Sequence, residues 1–159
     1  MSDTLLDQFF DAAIYGDTAK VIAMLDRQPD LISARDKYEF TVLHVLMTEE
    51  QPAMAMLLLD RGADLHARND DELTPLHLAQ YAEMAKVLLG RGADVNARER
   101  RGRTPLHIAA QESEDAVDLD VLAVLLESGA DRSLRDTSGK TPLDYALSRE
   151  DAEKIAMLK

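Results

Sequence analysis

One four-residue block limits what this chain can fold into more than any other feature. Thr-Pro-Leu-His stands at Thr74–His77 and at Thr104–His107, and in altered form at Thr41-Val42-Leu43-His44 and Thr141-Pro142-Leu143-Asp144. A second block, Gly-Ala-Asp, accompanies it at Gly62, Gly92 and Gly129. Successive threonines are 33, 30 and 37 residues apart. Self-similarity at such a period means stacked small units that bury each other's flanks, not a globule around one central core. Function is then to be sought on a surface rather than in a pocket.

Each unit reads as helix, turn, helix and extended loop. From Thr104, the hydroxyl suits a helix N-cap and Pro105 the first helical position, where no N–H is needed. Leu106, Ile108, Ala109 and Ala110 face inward. A second helix near Leu119–Glu127 presents Leu122, Val124, Leu125 and Leu126, and Gly129 ends it in the left-handed region. The unit from Thr41 repeats the plan with Met54, Met56, Leu57, Leu58 and Leu59, and that from Thr74 with Met84, Val87, Leu88 and Leu89. Before Thr41, Leu5, Leu6, Phe9, Phe10, Ala13 and Ile14 fit one helix face.

These residues resemble the ankyrin repeat, most closely over Arg91–Ala110, and the resemblance covers roughly Leu5 to Leu158. It implies an all-α helix-turn-helix solenoid with β-hairpin loops along one edge. The chain is read as a single ankyrin repeat domain, 1–159, in units of about 1–36, 37–69, 70–99, 100–136 and 137–159, the outer two acting as caps. It also implies a non-catalytic protein–protein interaction module.

Three departures from the pattern carry information. Thr74 to Gly92 is 18 residues against 21 from Thr41 to Gly62, which places the missing residues near Tyr81 and Ala82 and predicts a tight interhelix turn. The unit from Thr104 is long, with Glu112, Glu114, Asp115, Asp118 and Asp120 in its extra segment, 111–120. The glycine two residues before threonine, Gly102 and Gly139, is replaced by Glu39 and Glu72. Those loops either accept left-handed strain or turn differently.

In the family, partners dock on the loop tips and the adjoining concave face of the first helices. Here that surface is Tyr38, Phe40, Asp70, Asp71, Leu73, Arg100, Arg101 and Arg103, extended by Tyr81, Gln111 and Glu112. Phe40 and Leu73 either anchor a partner or fold back onto the stack. The arginines either hold a partner's anionic group or are solvated beside Glu99. Arg35, Arg68, Arg98 and Arg135, each followed by Asp36, Asn69, Glu99 or Asp136, read as a structural ladder of alternating charge.

His44, His77 and His107 recur with the units, roughly 10 Å apart as packed helices are. Zinc ligands lie within about 2.0–2.3 Å of one ion, so these histidines read as hydrogen-bonding groups, not metal ligands. The acidic segment lacks the alternating ligands and central glycine of a calcium loop. Without cysteine there is no thiolate nucleophile, disulfide or thiolate metal site, and no nucleophile elbow or phosphate loop occurs. No catalytic residue, cofactor or metal is expected.

The net charge of −12 would repel nucleic-acid phosphates and attract a basic partner. No basic leader or long apolar run marks a signal peptide or membrane span. The expectation is a cytoplasmic monomer that binds another protein. One version is an adaptor using apolar tips. The other is a small acidic inhibitor or immunity-type protein that blocks a basic target such as a toxin or nuclease.

Overall fold

The computed structural model describes residues 4–111 and 116–159. Among them the chain forms nine α-helices and no strand. They run α1 Leu5–Ile14, α2 Thr18–Arg27, α3 Val42–Leu46, α4 Pro52–Asp60, α5 Ala82–Gly90, α6 Pro105–Gln111, α7 Ala116–Glu127, α8 Pro142–Arg149 and α9 Ala152–Leu158. Two short 3-10 helices, Pro29–Ser33 and Pro75–Leu78, complete the set.

Threonine sets where the first helix of each pair begins. At Thr141, the backbone N–H and the hydroxyl both donate to Asp144 Oδ2 at 2.8 Å, and the Asp144 N–H returns a bond to the hydroxyl. This reciprocal cap satisfies donors that the helix itself leaves open. Thr4 and Asp7 make the same box. Thr4-Leu5-Leu6-Asp7 is thus a fifth copy of the block, 37 residues before Thr41. In α4, α5 and α7 the exit is also shared. Gly92 adopts φ 92°, and the Ala93 N–H reaches back to the Leu88 carbonyl at 3.0 Å, a cap that a residue with a Cβ forms only under strain.

The helices pack in two rows. The first helices, α1, α3, the Pro75–Leu78 turn, α6 and α8, touch in succession. Behind them α4 packs on α5, α5 on α7 and α7 on α9. Between the rows lie fully buried Phe9, Leu43, Leu46, Leu58, Leu88, Leu106 and Leu122. Each such side chain contributes about 1.5–3 kcal/mol by leaving water. Ala55, Ala85 and Ala110 are also buried, which lets helices approach closely. Met56 is not part of this core: it points outward, 42% exposed, because the helical period turns Met54 and Leu58 inward instead.

The shortened unit has the tight turn its spacing predicts: residues 79–81 join Pro75–Leu78 to α5, against 47–51 between α3 and α4. The first helix shrinks as well, to the four-residue 3-10 turn Pro75–Leu78, and Ala79 is already extended at ψ 111°. The second helix keeps nine residues, as α4 does. It must, because Met84, Ala85 and Leu88 fill the layer between neighbours.

Candidate functional site

The loop edge is built from a recurring side-chain device. Asp36 Oδ1 accepts the backbone N–H groups of Tyr38 and Phe40 at 2.8 and 2.9 Å. Asn69 does this for Asp71 and Leu73, Glu99 for Arg101 and Arg103, and Asp136 for Ser138 and Lys140. Two backbone bonds close each loop: Asp36, Asn69, Glu99 and Asp136 donate to the carbonyls of Phe40, Leu73, Arg103 and Lys140, and their own carbonyls accept from Glu39, Glu72, Gly102 and Gly139. The loops are therefore turns held from inside. Glu39 and Glu72 take φ 62° and 63°, beside 72° and 78° for Gly102 and Gly139. All four loops share one shape, and the two glutamates carry its strain.

The arginine row bonds to backbone. Arg68 donates to the Glu72 carbonyl of its own loop at 3.0 Å and to the Arg98 carbonyl of the next at 2.8 Å. Arg35 spans in the same way to Arg68, and Arg98 to Arg135. A planar guanidinium suits this double task. The carboxylates beside Arg35 and Arg68 are those of Glu39 and Glu72, at 3.4 and 3.9 Å. Tips also join directly: the N–H groups of Asp70, Arg100 and Thr137 donate to the carbonyls of Tyr38, Asp71 and Arg101.

The histidines form a second row of staples. The Thr41 N–H donates to His44 Nδ1 at 3.2 Å, so that nitrogen is the acceptor and the proton sits on Nε2. Nε2 in turn donates to the Leu73 carbonyl of the next loop at 2.9 Å. His77 reaches Arg103 and His107 reaches Lys140 in the same way. Burial pushes all three below the usual imidazole range, His77 to about 4. Protonation would place a proton on Nδ1, against the threonine N–H.

The structure distributes the predicted contact residues unevenly. Tyr38 stands 55% exposed, with Lys37 Nζ 4.8 Å from its ring centre. Asp70, Asp71, Arg100 and Arg101 are exposed on the two middle tips. The Arg100 guanidinium donates to the Asp70 carbonyl and lies 3.7 Å from the Asp71 carboxylate. Phe40 is half-buried against the His44 ring, 5.5 Å between centres, and Leu73 is half-buried too. Arg103 turns inward: it donates to Glu99 at 3.2 Å and to Gln111 Oε1 at 2.9 Å. Burial pulls the Glu99 carboxyl up, but the bonds from Arg103 and Arg101 outweigh it and leave it lowered. Tyr81 is brought to neither: it precedes α5 and borders α7. Glu112 lies outside the described residues.

Among the described residues, no group of His, Asp and Glu could hold a metal ion, and no helix is long and apolar enough to cross a membrane. The arrangement offers a rigid row of loops with outward aromatic, acidic and basic side chains. A family model described as ankyrin repeats matches residues 9–99 and 80–159, in three copies. Alpha-latrocrustotoxin-Lt1a of Latrodectus tredecimguttatus is 30% identical to this chain over 70 residues. That stretch is 44% of this chain and 5% of the relative, so the chain spans only a small part of that protein's length.

Proposed function

The chain belongs to the ankyrin-repeat family, and from that premise we propose a non-catalytic module that binds one protein partner through its loop tips and the adjoining first helices. The tips are taken as the family's hairpins, and the chain as five units with the outer two as caps. The observation that carries this reading is the preordering of the row. Each tip is bonded internally by Asp36, Asn69, Glu99 or Asp136 and to its neighbour by backbone. A partner therefore pays little ordering entropy for contacts to Tyr38, Asp70, Asp71, Arg100 and Arg101. Phe40, Leu73, Arg103 and Gln111 serve mainly to hold that surface in place, with Tyr81 and Glu112 at its margin. The module acts in the cytoplasm as a monomer.

The test is affinity capture from native lysate with wild type and a Tyr38→Ala/Arg101→Ala variant. A protein retained by wild type and lost by the variant supports the reading; one retained equally by both rejects the tips as the site. A second reading, an acidic inhibitor of a basic target such as a toxin or nuclease, is favoured by the net charge of −12. Its affinity should fall steeply with added salt, and an affinity indifferent to salt rejects it.

A further inference from the structure

A groove lies between α5 and α7, on the second-helix row, where the tips do not reach. Its floor is small and apolar: Tyr81, Ala82, Ala123 and Val124. Its rim is anionic, formed by Glu50, Glu83, Asp120 and Glu127. It is open to solvent and holds about 590 Å³. On α7 the lining residues Asp120, Ala123, Val124 and Glu127 fall at positions i, i+3, i+4 and i+7, one continuous stripe of the helix.

Two features point to what would cover it. The first is charge. Four carboxylates face one ammonium, that of Lys86, which already bonds to Glu83 at 2.6 Å. The second is the position of Glu127. It is the last residue of α7, whose final turn holds no basic residue. A helix C-terminus favours cations and disfavours a carboxylate, so the stability of α7 does not account for Glu127. A partner that brings positive charge to that end does.

We propose that this groove docks a Lys- or Arg-bearing segment of a partner protein. The aliphatic stems of its basic residues lie on the floor of Tyr81, Ala82, Ala123 and Val124, and their charged heads reach the rim. The low relief of the two alanines lets the segment's backbone come close. The overall negative charge of the chain steers such a segment toward it. This surface meets the tip surface only at Tyr81, on the margin of the latter, and is tested independently of it.

The test uses a fluorescein-labelled 14-residue amphipathic peptide of Lys, Leu and Ala, and a counterpart with every Lys replaced by Glu. Anisotropy should show saturable binding of the Lys peptide and none of the Glu peptide. A Glu83→Gln/Asp120→Asn/Glu127→Gln variant should bind at least tenfold more weakly. An Asp11→Asn/Asp30→Asn/Glu153→Gln variant makes the same charge change elsewhere and should stay within twofold of wild type, as should the Tyr38→Ala/Arg101→Ala tip variant. Equal weakening in the two charge variants would reduce the effect to net charge and overturn the proposal. So would loss of binding in the tip variant, or no binding of the Lys peptide to wild type. Thermal unfolding of each variant separates lost binding from lost fold.

Discussion

The recurring single residues act mostly on backbone. Glu39 and Glu72 hold left-handed conformations that side chains with a Cβ disfavour by about 1–2 kcal/mol, while their pairs with Arg35 and Arg68 are exposed and worth less. Glu39→Gly and Glu72→Gly should each stabilise the protein by up to about 1 kcal/mol in urea unfolding. The histidines make stability depend on pH. His77 is neutral in the fold down to about pH 4, whereas in the unfolded chain it takes a proton below about pH 6.5. The unfolded state therefore binds more protons between those values, and stability is full above about 6.5 and falls as pH drops toward 4. The loss is on the order of 3 kcal/mol for this group, with His44 and His107 adding in the same direction. Urea midpoints at pH 7.5 and 4.5 should show it, and His77→Asn should reduce the difference. The histidine motif was legible in the sequence because its letters repeat. The loop device at Asp36, Asn69, Glu99 and Asp136 was read only as charge, because three residue types share nothing there but an acceptor oxygen at one register.

Elements show where the pattern yields. Losing residues in the unit from Thr74 shortened its interhelix turn and reduced its first helix to a 3-10 turn, while the second, packed between α4 and α7, kept its length. A small cavity of about 60 Å³ remains beside the 3-10 turn, lined in part by Leu78, Ile108 and Ala109. The first helices on either side are correspondingly important. Leu106→Ala in α6, at a fully buried position, should cost about 2–5 kcal/mol, read from the denaturant midpoint. On α7, Glu127→Gln removes a carboxylate from a helix C-terminus and should raise stability by about 0.3–1 kcal/mol. Thermal unfolding measures that gain, and a gain in stability alongside weaker binding of the Lys peptide would mark Glu127 as kept for binding. The Thr4–Asp7 start was also legible, since it copies Thr141–Asp144, but it has neither the proline nor the histidine, one or both of which mark every other copy.

Across the whole molecule, coupling runs from neighbour to neighbour, as expected of a stacked array. Arg35, Arg68 and Arg98 each tie one loop to the next, and His44, His77 and His107 do so one layer deeper. Arg68→Ala removes a charged donor from two carbonyls at the centre of the row. Its side chain is 47% exposed, so the loss should be about 1 kcal/mol rather than the larger value of a buried bond. It should also broaden the unfolding transition, seen as a lower urea m-value, because the units on either side become less strongly linked.

The sequence by itself determined the repeated unit, the helix starts at threonine, the glycine exits and the all-helical stack, because these depend on side chains close along the chain and recur in register. Only the tertiary structure decided which acceptors the arginines and histidines find, that the shortened unit's first helix becomes a 3-10 turn, and which acids line the groove between α5 and α7. Those contacts join residues about one unit apart, and many of their partners are backbone carbonyls, which every residue carries and no letter distinguishes.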